Sequence, residues 1–189
     1  MFVGHAAIAF ALVGLGARAL GVSRARALTL AGFAATVAVL PDVDILYALS
    51  GFAGVGSLDP LELAGGFWAA STAAHRSLTH SVVVALPAAA AIGLVAAGGR
   101  HRVAGIGALA LGAIAVVLAA QPAIWVGSLA FLAGAAGLGL LADRWDIPTG
   151  VAFLVAAVAL FTHPFGDLFT GSPPALFYPL EFSLLAERV

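Results

Sequence analysis

No cysteine occurs among the 189 residues, which excludes disulfides and thiolate metal sites and leaves the redox compartment open. Lysine is absent too, so all eight basic residues are arginine. Only 9% of the residues are charged and the net charge is −1. The chain therefore lacks the basic surface that binds phosphate backbones, and no nucleic-acid partner is expected. Apolar side chains take the place of charge. They make up 62% of the sequence, with a mean hydropathy of +1.11, against roughly 45–50% in soluble domains. This is the composition of an integral membrane protein, and a single domain over residues 1–189 is expected, with the lipid bilayer as its first partner.

The fold class follows from run length. The apolar runs are close to the roughly 20 residues that cross a bilayer as helix. They do not alternate as barrel strands do, and helices are the other structure that satisfies its backbone in lipid. The expectation is an all-α polytopic bundle of about six membrane helices, at 4–20, 27–49, 80–97, 103–120, 122–142 and 147–169. The long connection 50–79 carries Asp59, Glu62 and Trp68 and has room for a short interfacial helix. The tail 171–189, with Pro173-Pro174 and Tyr178-Pro179, reads as a re-entrant or surface segment. The start lacks the positive charge of a secretory signal, so the first run is expected to be retained. Trp68, Trp125, Trp145 and Tyr178 read as interfacial anchors. Ala104, Ala108 and Gly112, and then Gly134, Gly137 and Gly139, read as small residues for close helix packing.

Arginine sets the orientation. Arg18, Arg24, Arg26, Arg100, Arg102 and Arg144 fall in the odd-numbered loops, and Arg76 and Arg188 fall on the other side. The odd loops are then cytoplasmic and the termini outside, in the cell's inner membrane. Helix parity brings four polar clusters to the outer, extracytoplasmic face: His5, the Pro41-Asp42-Val43-Asp44 run, the His75-Arg76-Ser77-Leu78-Thr79-His80-Ser81 run, and His163 with Asp167. They hold four of the five histidines and three of the six aspartates.

Such residues are expensive in a membrane, at roughly 2.5–3.5 kcal/mol for an Asp or Arg at a helix centre. A divalent cation offsets that cost by stabilising carboxylates and neutral imidazoles together. Histidine nitrogen with aspartate oxygen suits zinc, manganese or iron(II), and a mixed set of this kind is the catalytic type. His163 and Asp167, four apart, share a helix face. Asp42 and Asp44 would point about 200° apart on a regular helix, so they converge only if Pro41 breaks it. His75 and His80 are five apart, so at least one lies in the loop before the third membrane helix. Blander readings exist for each: a hydrogen-bonded pair, a helix end, interfacial solvation, a polar chain start. His101 reads as solvated loop, Asp146 as a helix N-cap, and Ser81 and Thr79 as caps. Glu181 stays ambiguous.

The ordered set of an early His, Leu-Pro-Asp-x-Asp, His-Arg-x-x-Thr-His-Ser and His-x-x-x-Asp-x-x-Thr resembles the YdjM-like family of membrane-bound proteins assigned as metal-dependent hydrolases. The matching residues are His5; Leu40 to Asp44; His75, Arg76, Thr79, His80 and Ser81; and His163, Asp167 and Thr170. The closing Phe177-Tyr178-Pro179-Leu180 is similar to that family's aromatic-Pro ending, and Ser77 stands where its motif carries Gly. The resemblance implies a metal-dependent hydrolase. A fainter likeness to zinc-dependent phospholipase C and related nucleases suggests a lipid-linked or other phosphoester substrate. The expected ligands of one or two divalent ions, zinc first and then manganese or iron, are His5, Asp42, His80, His163 and Asp167. Asp44 or His75 would orient water or act as general base, and Arg76 would hold a non-bridging oxygen. The competing expectation is a metal-binding or ion-transporting membrane protein without hydrolysis. Its weakness is that the inner half of the bundle looks apolar.

Overall fold

The computed structural model describes residues 2–169 and 174–180. Helices and turns account for its ordered backbone, in the order α1 (Phe2–Ala19), α2 (Arg24–Ala38), a 3-10 segment (Pro41–Gly54), α3 (Pro60–Ala74), a 3-10 turn (Leu78–His80), α4 (Val82–Ala96), α5 (Gly99–Ala119), a 3-10 turn (Pro122–Ile124), α6 (Trp125–Arg144) and α7 (Thr149–Asp167). Five of these stretches are long and apolar enough to cross a membrane: α1, the composite Arg24–Gly54, α5, the stretch Pro122–Arg144 and α7. The polytopic helical bundle is therefore as expected, with two adjustments in detail.

The second membrane stretch is not one regular helix. Leu40-Pro41 ends α2, because proline has no N–H to give and crowds the preceding turn. The chain continues to Gly54 in the tighter 3-10 winding. The other adjustment is α4, which has only 15 residues. It rises about 22 Å against the roughly 30 Å of a bilayer's hydrocarbon core. Its start is set by Ser81, whose hydroxyl accepts from Val83 N, and the turn carrying His80 thereby lies inside the bundle. Helix α3 fills the long connection. Asp59 caps it by accepting from Leu61 N and Glu62 N, and Leu61 and Trp68 remain exposed on it.

Packing places α4 centrally, against α5, α6 and α7, while α1 packs on α2 and both reach α7. Small residues make the close approaches. A Cβ on Gly139 would lie 2.5 Å from Val95 Cβ, one on Gly134 2.4 Å from Leu40 Cδ1, and one on Gly127 2.5 Å from Asp44 Cα. A Cβ on Gly137 would meet nothing within 4 Å among the described residues, so that position makes no close approach there.

The two ends of the bundle differ in chemistry. At one end, Arg26 donates to the carbonyls of Trp145 and Asp146, and Arg102 pairs with Asp143 at 2.7 Å. Asp146 does not cap α7, contrary to expectation: Pro148 holds the N-cap position without a side-chain bond, and Asp146 sits at φ 51° in the preceding turn. At the other end, residues 174–180 strap over the His75–Ser81 stretch. Ala175 N donates to Arg76 O, Val82 N to Leu176 O, and the Ser81 hydroxyl to Tyr178 O. Thr170 and Glu181, and most of the tail expected at 171–189, lie outside the described residues.

Candidate metal centre

Four side chains from three separate parts of the chain meet in the interior of this second end. They are Asp42 from the 3-10 segment, His80 from the turn before α4, and His163 and Asp167 from the last turns of α7. All four are buried, His80 and His163 completely. Pro164 lies inside α7, and the helix runs through it, so the i, i+4 pair keeps one face: His163 Nε2 is 3.5 Å from Asp167 Oδ2.

The spacing of the donors is regular. His163 Nε2 lies 3.1 Å from His80 Nε2 and 3.3 Å from Asp42 Oδ1. His80 Nε2 lies 3.2 Å from Asp167 Oδ2 and 3.5 Å from Asp42 Oδ1. Tetrahedral zinc with bonds of 2.0–2.1 Å sets its ligands roughly 3.3–3.4 Å apart. Five separations of the quartet thus fall near the edge length of one coordination tetrahedron.

Each imidazole is held so that Nε2 faces this cage. The His163 Nδ1–H donates to the carbonyl of Ala38 at the end of α2. The His80 Nδ1–H donates to Thr79 Oγ1 at 2.9 Å, and the Thr79 hydroxyl donates in turn to Asp44 Oδ2 at 2.6 Å. Two imidazole lone pairs would then face each other at 3.1 Å, an arrangement that needs a cation or a proton between them. Asp42 Oδ2 is buried and has no hydrogen-bond partner among the described residues. Both observations fit a divalent metal ion in the cage. Burial opposes charge on His80, but its hydrogen bonds to Asp167, Asp42 and Asp44 outweigh it, and its pKa is pushed from 6.5 up to about 10.

The remaining expected site residues stand around this cage. Asp44 follows Asp42 by two residues, and a 3-10 winding of about 120° per residue turns it away from the cage. It sits on the far side of His80, where its carboxylate accepts from His75 Nδ1 at 2.7 Å, Arg76 N at 3.2 Å and Thr79 Oγ1. His75 caps the end of α3 and is half-buried, its ring edge-on to His80. Asp44, His75 and His80 form a second cluster that can hold an ion by proximity, although hydrogen bonds already use the facing atoms. Arg76 reaches Asp167 Oδ1 at 3.4 Å and stands at φ 66°, a left-handed backbone that its bonds to Asp44 and Ala175 fix. His5 lies outside the quartet. It meets Asp167 Oδ1 through Nε2 at 3.1 Å and stacks on His163 with ring centroids 3.9 Å apart.

Two participants were not legible as such. Thr79 read as a cap and instead links His80 to Asp44. The Ala38 carbonyl carries no sequence signal, because any residue supplies one.

A family model described as the YdjM inner membrane protein matches residues 1–186. The chain belongs to this family. No curated protein and no solved structure gives a significant match. Membership and the apolar helices agree on a membrane protein whose buried His/Asp cluster can hold a metal ion.

Proposed function

We propose that the chain is a membrane-embedded metal-dependent hydrolase that acts on a lipid-linked or other phosphoester substrate at the membrane-water interface. The observation that carries this reading is the quartet of Asp42, His80, His163 and Asp167, spaced as the ligands of one small divalent ion. Zinc suits the spacing best. A bound ion of this kind supplies Lewis acidity and makes water acidic near neutral pH.

The chain's own residues do the rest. Asp44, through Thr79, and the Ala38 carbonyl aim the two Nε2 atoms, a role of partners that hold metal-binding histidines. Because His75 gives its Nδ1–H to Asp44, its Nε2 is the lone-pair nitrogen. His75 is 21% exposed, which makes it the general base of choice over Asp44, whose oxygens are engaged. Arg76, with its planar fork beside Asp167, holds a non-bridging phosphoryl oxygen. The site opens on the extracytoplasmic side, since Arg18, Arg24, Arg26, Arg102 and Arg144 belong to the opposite end.

One observation favours the second reading, metal binding without hydrolysis. Four protein donors close the shell of tetrahedral zinc, whereas catalytic zinc keeps a position open. Purified protein assayed on phosphodiesters and phospholipids separates the two. The hydrolase reading expects chelator-sensitive turnover that His75→Ala and Arg76→Ala each lower by about 10²-fold or more at unchanged metal content. One ion per chain with no turnover of any of these substrates favours metal binding alone.

A further inference from the structure

The first helix brings a single polar side chain to the metal centre. Of the two polar residues in α1, Arg18 lies near its far end and His5 near its start. His5 is 4% exposed, and its place is closely set. Its ring stacks on that of His163, with centroids 3.9 Å and planes 24° apart. The other side lies against Gly166, where a Cβ would stand 3.0 Å from Nδ1 and 2.9 Å from Cε1. Glycine there lets the ring come this close to α7. The His5 Nε2–H then donates to Asp167 Oδ1 at 3.1 Å.

That hydrogen bond falls on the oxygen of Asp167 that the cage does not use. Oδ2 faces His80 Nε2 at 3.2 Å and His163 Nε2 at 3.5 Å. Arg76 reaches Oδ1 as well, at 3.4 Å, but the contact is longer and comes from the group assigned above to a phosphoryl oxygen. A carboxylate gives a metal ion one oxygen or two. With Oδ1 taken, Asp167 gives one. Asp42 is not restrained in this way, since its Oδ2 is buried without a hydrogen-bond partner among the described residues. The four-residue shell can therefore gain a donor at Asp42 but not at Asp167. Zinc is satisfied by four donors, whereas manganese favours an octahedron of oxygens.

We propose that His5 is a positioning residue that sets the metal selectivity of the centre. By holding Asp167 Oδ1 it keeps Asp167 a one-oxygen ligand. This favours zinc over manganese beyond the order that nitrogen and oxygen donors impose by themselves. His5 acts through Asp167 and touches neither the ion nor a substrate. The inference deepens the reading above and rests on its metal centre, not on hydrolysis.

The test uses the full chain in nanodiscs, stripped of metal. Equilibration with zinc and manganese(II) together, followed by elemental analysis, gives the preference. Loading with cobalt(II) alone gives the coordination through its visible absorption, which is strong for four donors and weak for six. His5→Phe keeps a stacked ring but has no N–H. It should still bind one ion, with the zinc preference about tenfold lower, the size of one hydrogen bond to a carboxylate, and with weaker cobalt absorption. His5→Gln, whose amide N–H can reach the same oxygen, should keep the preference and the absorption of the unmodified chain. Unchanged preference and absorption in His5→Phe overturn the proposal. So does a His5→Gln variant that behaves as His5→Phe does, or loss of the ion in His5→Phe, which would make His5 a ligand. An unmodified chain that binds none of the three metals overturns the metal centre and this inference with it. The expected selectivity without phosphoester turnover leaves this inference standing and removes only the hydrolase reading.

Discussion

His80 touches every carboxylate of the centre: Asp42 and Asp167 through Nε2, Asp44 through Nδ1. A metal ion entering the cage must displace the proton that this environment favours. The His80 pKa is raised from 6.5 to about 10, so across that window binding releases a proton. Apparent affinity then rises about tenfold per pH unit for each proton displaced. Calorimetric titrations in buffers of different ionisation enthalpy measure that proton directly, and pH-independent affinity between about pH 7 and 9 contradicts it. For the metal-free chain the sign is opposite. The stability from protonated His80 is fully present below 6.5 and lost as pH rises through about 10. A second prediction separates ligand from support: Asp44→Asn should weaken metal binding about 10–100-fold without abolishing it, whereas His163→Ala should abolish it. Equal effects of the two variants would contradict the difference in role.

Elements decide where those residues point, and here the sequence was partly readable. The i, i+4 spacing of His163 and Asp167 announced a shared face, because α7 is regular through Pro164. Pro41 announced a break, but not the 14-residue 3-10 segment that follows it. Its apolar pattern looks the same as that of a helix, and either winding keeps Asp42 and Asp44 on different faces, so the break at Pro41 does not bring the two carboxylates to one ion. The close packing that seats this segment can be tested. A Cβ on Gly127 would meet Asp44 Cα and Cβ at 2.5 and 2.6 Å, so Gly127→Ala should cost about 1–3 kcal/mol and weaken metal binding with it. Gly137→Ala, with nothing within 4 Å, should leave both unchanged. A thermal melt with and without added zinc reads each variant.

At the scale of the whole molecule, the polar clusters were legible because charge in lipid is costly and must be compensated. Helix parity then required His5, Asp42, His80 and Asp167 to share one end, and the structure puts them together there. What parity does not carry is the order inside that end. His5 stands beside the cage rather than in it, bonded to Asp167 and stacked against His163. The expected helix 80–97 overruns α4 by two residues at its start, because Ser81 caps the helix and His80 stays in the turn before it. The orientation proposed from the arginines can be tested, because a chain without cysteine accepts single cysteines cleanly. Leu58→Cys, at a site 90% exposed, should react with an impermeant thiol reagent from outside intact spheroplasts, and Arg100→Cys only after lysis. The reverse pattern would invert the site's face.

The central claim is that clusters spread from Asp42 to Asp167 form one metal centre. Elemental analysis of the purified protein, beside His163→Ala and His5→Phe, tests it most directly. The account predicts one transition-metal ion per chain, lost in His163→Ala and kept in His5→Phe. A folded protein that binds no ion even when zinc, manganese or iron(II) is supplied, or one that keeps its ion in His163→Ala, would contradict it.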